Sequence, residues 1–213
     1  MKIISLNVGL PREIVYKGRS ILTGIFKEPV EGRVCARKLD LDGDRQADLT
    51  VHGGAEKAVY VYPSEHYEYW HSEFPDMQLP WGMFGENFTV EGLNEKEVNI
   101  GDRFRINTAL FMVTQPRMPC YKLAAKFERD DIIKRFLRSG RTGFYFSVIE
   151  EGEVGAGDPL EPVSRDENNI SVTDITQLYI SKGKDQDLLR RAARLEALPA
   201  GWRDYFLDQI KEN

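Results

Sequence analysis

The 213-residue sequence has few of the residues on which several common kinds of site depend. It contains two cysteines, Cys35 and Cys120, and three histidines, His52, His66 and His71. Their separations match no standard pattern of zinc ligands, which argues against an ordinary zinc site. Two distant thiols give no disulfide framework, and a chain of this length can fold without one. Both cysteines are therefore expected to be reduced.

The sequence also has no long apolar run, and its net charge is negative. No run approaches the roughly 20 apolar residues that cross a bilayer, and residues 1–7 turn polar too early for a secretory signal. The formal net charge of −5 argues against nucleic acid as the main partner, although it leaves room for a local basic pocket. We therefore expect a cytoplasmic protein that binds neither membrane nor nucleic acid.

Residues 1–165 read mainly as short strands separated by glycine-containing turns. Residues 2–8 and 57–62 are rich in β-branched or aromatic side chains, as strands are. The sequence contains no Rossmann fingerprint, phosphate loop or Gly-x-Ser-x-Gly elbow. Short helices are predicted after Pro63 and over residues 129–138. Many short strands between turns favour a closed barrel or a sandwich, so the predicted fold class is mainly β.

A polar connection at residues 164–169 marks a change in composition, and residues 166–213 are predicted to form a three-helix extension. Ser171 and Asp174 resemble an N-terminal capping pair, and Asp185 can cap a second helix. Trp202 and Tyr205 lie on an apolar stripe that marks the third helix. Such a tail is too small to have much of a hydrophobic core by itself. It is expected to pack on the barrel or on a second copy in a homodimer.

The segment from Gln115 to Leu123 carries the strongest chemical signal. Pro116 and Pro119 break the strand that precedes them, which leaves Cys120 on irregular backbone at a strand end. Arg117 and Lys122 lie close by in sequence, and nearby cations favour the thiolate that attacks substrates or binds metals. A free cysteine is just as often a small buried hydrophobe, and the local residues do not separate the two interpretations. Cys35, within a strand-like run, is expected in the core.

A second segment, residues 43–58, combines glycines with His52 and Lys57. Gly53 and Gly54 would allow the backbone to approach a ligand closely, while the histidine and lysine could donate to anionic oxygens. Taken by itself, this pattern is more typical of a polar hairpin loop.

Taken in order, these segments resemble the MOSC domain family, the module found at the C-terminus of molybdenum-cofactor sulfurases, and its stand-alone YiiM-type members in particular. The resemblance rests on four stretches: Gly43-Asp44-x-Gln46-Ala47-Asp48-x-x-Val51-His52-Gly53-Gly54-x-x-Lys57-Ala58-Val59-Tyr60, Gly85-Glu86-Asn87-Phe88-Thr89, Gly101-Asp102, and Gln115-Pro116-Arg117-x-Pro119-Cys120-x-Lys122-Leu123. These stretches cover about half of the predicted barrel, and the helical tail is also similar to that of the YiiM type.

The resemblance implies a MOSC-type β-barrel that holds the molybdenum cofactor (molybdopterin), with Cys120 as the metal ligand. Cys120 and His52 are the implied catalytic residues. The implied cofactor-binding residues are Lys17, Thr23, Lys27, Arg33, His52, Asn87, Gln115, Arg117 and Cys120. A soft thiolate suits such a metal centre, and the cofactor brings its own redox chemistry.

The implied activity is reduction of N-hydroxylated compounds, such as 6-N-hydroxylaminopurine, with electrons from a separate reductase. His52 and Lys57 are candidate proton donors. Two other functions stay open. Cys120 could carry a persulfide in sulfur transfer to the cofactor, or the protein could be a binding module that holds the cofactor without catalysis.

Overall fold

The computed structural model describes residues 1–47 and 53–211, the last of these by its backbone alone. Twelve strands and six α-helices lie in these ranges. The strands are β1 (Lys2–Val8), β2 (Arg12–Tyr16), β3 (Arg19–Thr23), β4 (Glu28–Pro29), β5 (Arg33–Ala36), β6 (Val59–Pro63), β7 (Phe88–Glu91), β8 (Arg103–Ile106), β9 (Ala109–Pro116), β10 (Phe144–Glu150), β11 (Gly152–Gly155) and β12 (Leu160–Ser164). The helices are α1 (His66–Glu73), α2 (Tyr121–Phe127), α3 (Ile132–Ser139), α4 (Val172–Ile180), α5 (Gln186–Ala192) and α6 (Ala200–Lys211).

Eight strands form one curled sheet in the order β12-β8-β9-β10-β6-β7-β1-β4. Neighbours are antiparallel except β6 and β7, which are parallel. A bridge between Lys2 and Pro159 brings β1 beside the start of β12, and the backbone N–H of Ile3 donates to Asp158 O at 3.0 Å. These contacts join distant parts of the sheet and curl it into a barrel. The predicted mainly-β class is confirmed.

Two apolar clusters hold the fold together. Inside the barrel, alternate side chains of β9 and β10 such as Phe111 and Phe146 are fully buried, as the period-two pattern of a strand requires. Outside the sheet, an aromatic cluster centred on Trp70 packs α1, α2 and α3 against β6. The indole N–H of Trp70 donates to the hydroxyl of Tyr62 at 2.7 Å. This second cluster anchors α2, the helix that follows Cys120.

The β2–β3 hairpin and helix α2 were not predicted from the sequence. Lys17 and Gly18 form the two-residue loop of the hairpin, both with positive φ (51° and 75°), which is typical of a type I′ turn. Helix α2 is short, and its buried residues Leu123 and Phe127 pack in the aromatic cluster. The other members of that cluster are mostly distant in sequence, so the local residues do not predict the helix. The predicted helix at residues 129–138 begins later, at Ile132.

The helical tail packs on the barrel of its own chain. Ser171 and Asp174 make both hydrogen bonds of a capping box, and Asp185 accepts from the backbone N–H of Leu188, as predicted. Buried side chains of the tail, such as Ile175 and Phe206, belong to the same apolar cluster as the barrel interior. Among the described helices, none combines the length and the apolar character that crossing a membrane requires.

Candidate functional site

A cavity of about 120 Å³ lies at one end of the barrel, where β3, β6 and β9 finish or begin. We call it the cationic cavity. Its described walls include the cations Lys27, Arg45, Lys57, Arg117 and Lys122, the single carboxylate of Asp44, and Thr23, Asn87, Cys120 and Tyr145. Five cations against one carboxylate give this hollow a positive potential within a chain of negative net charge, a pattern that favours an anionic ligand.

Cys120 reaches this cavity because strand β9 ends early. The strand stops at Pro116, residues 117–120 have no regular secondary structure, and α2 begins at Tyr121. The thiol of Cys120 is free and half-buried, and it lines the cavity wall. The prediction of an irregular segment at a strand end is confirmed, and the alternative of a cysteine sealed inside the core is wrong.

Cys35 has a different setting. It lies on β5, which pairs with β11 in a two-stranded sheet, and it is half-buried rather than fully buried as predicted. A two-stranded sheet covers its side chains incompletely, whereas the neighbouring Ala36 is sealed in the core. Cys35 is absent from the described wall of the cationic cavity.

Arg117 carries the clearest sign of a missing partner. Its side chain is buried, with the guanidinium 5.4 Å from the ring centre of Tyr60 and 5.1 Å from that of Phe136. Among the described residues, its Nη1 has no hydrogen-bond acceptor although the atom is buried. A buried donor without an acceptor is costly, and more so in a charged group. Because Arg117 lines the cationic cavity, an anionic ligand bound there could supply the acceptor that is missing among the described residues.

Tyr145, on β10, lies near Arg117 in the wall of the cationic cavity. Burial raises the pKa of Tyr145 above its ordinary value, while the positive charge of Arg117 opposes that rise. Burial also raises the pKa of Tyr60, whose hydroxyl donates to Thr142 O at 2.8 Å. Both phenols therefore stay neutral near pH 7 and can act as hydrogen-bond donors rather than as bases.

A buried polar network shapes the opposite wall. Asp44 accepts hydrogen bonds from Lys27 Nζ, from the backbone N–H of Gly9 at 3.0 Å and from Asn87 Nδ2 at 2.7 Å. Asn87 Oδ1 in turn accepts from the backbone N–H of Tyr60 at 3.0 Å. These contacts satisfy Asp44 within the protein, so that the carboxylate fixes the wall and repels an incoming anion less.

The structure brings together five of the residues predicted to bind the cofactor. These five residues, all in the wall of the cationic cavity, are Thr23, Lys27, Asn87, Arg117 and Cys120. Gln115 lies behind this wall and lines a neighbouring cavity instead. His52 lies outside the described residues.

Lys17 and Arg33 are not brought to the cationic cavity. Lys17 forms an exposed ion pair with Asp130 at 2.7 Å. Arg33 donates to both carboxylate oxygens of Asp158 at 2.7 Å each. Their carboxylate partners are remote in sequence, so neither pairing is visible from the sequence alone.

Sequence reasoning missed Arg45, Tyr60 and Tyr145 as wall residues. The two tyrosines meet because β6 and β10 are neighbours with Tyr60 opposite Tyr145, and their ring centres lie 5.3 Å apart. Strand register is a property of the folded sheet, and nothing local to either tyrosine predicts it. Arg45 lies within the segment already singled out, and its charge was the available signal.

A second cavity, of about 390 Å³, lies between the barrel and the tail. We call it the aromatic cavity. Its described walls are Gly53, Glu56, Lys57, Gln115, Met118, Tyr179, Pro199, Gly201, Trp202 and Tyr205. Lys57 and Met118 line both cavities, so the two hollows are neighbours with a shared wall.

Two family models match the chain. The MOSC domain matches residues 48–161, and the YiiM-like, 3-alpha helix domain matches residues 170–212. The first covers the central strands and Cys120, and the second covers the three tail helices.

Individual relatives agree with these matches. The uncharacterized protein YflK of Bacillus subtilis is 44% identical over 96% of this chain and 92% of its own length. A protein of Gibberella moniliformis named reductase is 30% identical over 92% of this chain, which spans 34% of that longer protein. The crystal structure of YiiM from Geobacillus stearothermophilus superposes with a TM-score of 0.83 at 35% identity, covering 98% of each chain. The chain therefore belongs to the MOSC domain family and is a member of its YiiM type.

Proposed function

We propose that this protein is a molybdenum-cofactor-binding oxidoreductase that reduces N-hydroxylated compounds, such as 6-N-hydroxylaminopurine, to amines. The observation that carries the proposal is the half-buried thiol of Cys120 in a cavity lined by Arg117, whose buried Nη1 has no acceptor among the described residues. The fungal relative named reductase supports the broad class of reaction.

The residues of the cationic cavity fit the proposed cofactor. The cofactor is anionic, and its phosphate oxygens would supply the acceptor that Arg117 Nη1 lacks. Its metal is bound by sulfur, which suits a thiolate ligand from Cys120 better than a carboxylate. The only carboxylate among the described wall residues, that of Asp44, is already occupied by hydrogen bonds within the protein.

In this proposal, the charged and polar wall residues have different roles. Cys120 ligates the metal, while Arg117, Lys122 and Arg45 neutralise the phosphate charge. Asn87 and Lys27 hold the wall in shape through Asp44. When bound, the cofactor supplies the two-electron chemistry by which R–NH–OH, two electrons and two protons become R–NH₂ and water.

Proton delivery and electron supply complete the proposal. Lys57 lines both cavities and is the described residue best placed to deliver a proton to the leaving hydroxyl group. His52 stays a second candidate from the sequence. In this proposal, a separate reductase supplies the electrons, and the protein acts in the cytoplasm. A homodimer also stays a prediction.

Metal content is the first test. The wild-type protein, produced in a host that makes the cofactor, is expected to carry near-stoichiometric molybdenum. Cys120→Ala should lose that metal while keeping the wild-type melting temperature, because the thiol is half-buried and small. Cys35→Ala is the matched control and should retain the metal. Molybdenum held at the wild-type level by Cys120→Ala would refute the ligand role.

Turnover and mass then separate the reductase from the other two functions. Loaded, chemically reduced protein is expected to convert one equivalent of 6-N-hydroxylaminopurine to adenine in a single turnover. A protein that binds the cofactor but converts none is a binding module. A persulfide on Cys120, seen as one added sulfur mass in the intact protein, would instead indicate sulfur transfer.

A further inference from the structure

Three aromatic side chains of the helical tail face the aromatic cavity. The ring centres of Tyr179 and Trp202 lie 5.7 Å apart, and those of Trp202 and Tyr205 lie 6.5 Å apart at an interplanar angle of 89°. All three rings keep part of their surface exposed, 39% for the whole of Tyr179. Flat heterocycles stack on aromatic surface of this kind, with little dependence on their substituents.

The orientation of Trp202 is fixed by the barrel. Its indole N–H donates to Gln115 Oε1 at 3.0 Å, and Gln115 Nε2 donates to the carbonyl oxygen of Glu56 at 3.2 Å. Gln115 is 4% exposed and lies on β9, two residues before Arg117. A ring held in place before a ligand arrives loses little freedom on binding, which favours affinity. The tail ring and the cationic cavity therefore share one strand as their support.

The position and size of the aromatic cavity suit a ligand that reaches Cys120. Its volume of about 390 Å³ lies within the range of small-molecule pockets. The cationic cavity is smaller, at about 120 Å³. Met118, two residues before Cys120, lines both cavities, and its flexible thioether packs well against aromatic rings.

We infer that Tyr179, Trp202 and Tyr205 form a ring-binding subsite for the substrate. The flat heteroaromatic part of an N-hydroxylated compound stacks in the aromatic cavity, and its N–OH group extends past Met118 toward Cys120. The link to catalysis rests on the proposed function, whereas ring binding itself does not. The tail thereby makes the enzyme selective for aromatic over small aliphatic N-hydroxylated substrates.

Binding of an unreactive ring tests the subsite without any reaction. Adenine is titrated calorimetrically into cofactor-free protein. Trp202→Leu should weaken adenine binding at least about fivefold, the lower end of the effect of removing a stacking partner. Trp202→Phe keeps a ring but loses the hydrogen bond to Gln115, so its loss should be smaller. Leu207→Ala, an exposed position on the same helix, is the control and should bind adenine as the wild type does.

Substrate selectivity tests the link to catalysis. For the cofactor-loaded protein, the ratio of kcat/KM for 6-N-hydroxylaminopurine to kcat/KM for N-methylhydroxylamine should fall at least about fivefold in Trp202→Leu, mainly through KM. Should Trp202→Leu fail to fold, Tyr179→Leu replaces it, since that ring is partly exposed and its loss disturbs less packing.

Each other outcome is decisive. Unchanged adenine binding, or an unchanged selectivity ratio, in a folded variant overturns the subsite. Loss of molybdenum from folded Trp202→Leu also overturns it, because the rings would then hold the pterin of the cofactor. Adenine binding that depends on Trp202 in a protein without any reductase activity would refute the proposed function and leave the ring site standing.

Discussion

The two neighbouring cavities differ in both chemistry and origin. The cationic cavity is built by the barrel from charged and hydrogen-bonded side chains, whereas the aromatic cavity takes its rings from the tail. Strong, directional contacts of the first kind suit an anionic group that stays bound. Broad aromatic surface of the second kind suits a flat molecule that must arrive and leave. Under the proposed function, the barrel would hold the reactive group, and the tail would select the substrates that reach it.

Removing the thiol of Cys120 should have the largest effect, and it should affect the cationic cavity alone. Cys120→Ala is expected to abolish molybdenum retention while adenine binds with the wild-type affinity, because Cys120 lines only the cationic cavity. Metal analysis and calorimetry on the same preparation check both halves. Joint loss of metal and of adenine binding by a folded variant would show that the cavities act as one site.

Arg117→Met should give the next largest effect. Loss of a charged hydrogen bond to the ligand is expected to weaken binding of inorganic pyrophosphate by about 10- to 100-fold. The ligand-free variant should be at least as stable as the wild type, since Met removes a buried nitrogen that has no acceptor among the described residues. Thermal melts with and without pyrophosphate measure both quantities.

Arg138→Met is the matched control for that experiment. Arg138 is exposed on α3 and is not part of the described cavity wall, so its removal should leave the shift in melting temperature by pyrophosphate unchanged. Equal loss in both variants would indicate a general effect of net charge rather than a site at Arg117.

The sequence supports a prediction of the cationic cavity better than of the aromatic one. Pro116 and Pro119 act locally, so the end of β9 and the position of Cys120 follow from neighbouring residues. The aromatic cavity depends on how the tail packs on the barrel, because Trp202 contacts Gln115, which lies 87 residues earlier in the sequence. From the sequence, Trp202 and Tyr205 could be assigned only to an apolar stripe, since no local pattern says which element that stripe faces.

Removing the hydrogen bond between Gln115 and Trp202 should have a smaller effect than the two changes above. Gln115→Leu leaves the indole N–H of Trp202 without its acceptor and is expected to lower the free energy of unfolding by about 1 kcal/mol. It should also weaken adenine binding, though less than Trp202→Leu does, because the ring remains but its orientation is less fixed. Urea unfolding and calorimetry provide the two values. An unchanged adenine affinity would show that the hydrogen bond does not pre-order the ring.

A pH dependence of stability is also expected from a buried lysine close to the cationic cavity. Lys126 lies behind its wall and donates to the carbonyl oxygens of Ile25 and Gly82. Burial lowers the pKa of Lys126 from 10.5 to about 8, and the nearby cations Lys27, Arg12 and Arg117 act in the same direction while Glu86 opposes them. Between pH 8 and 10.5 the unfolded chain therefore holds a proton that the folded protein releases.

Because the unfolded state binds more protons in that window, the free energy of unfolding should gain a contribution that rises with pH. Below pH 8 both states are protonated, and the cost of the buried ammonium is fully present. Lys126→Met should remove this rise. In urea titrations, the unfolding free energy of the wild type minus that of the variant should therefore increase from pH 7.5 to 9.5. Lys134→Met, at an exposed position, should run parallel to the wild type. Parallel curves for Lys126→Met as well would mean that Lys126 keeps an ordinary proton affinity, and that the charge behind the cavity stays fixed over this range.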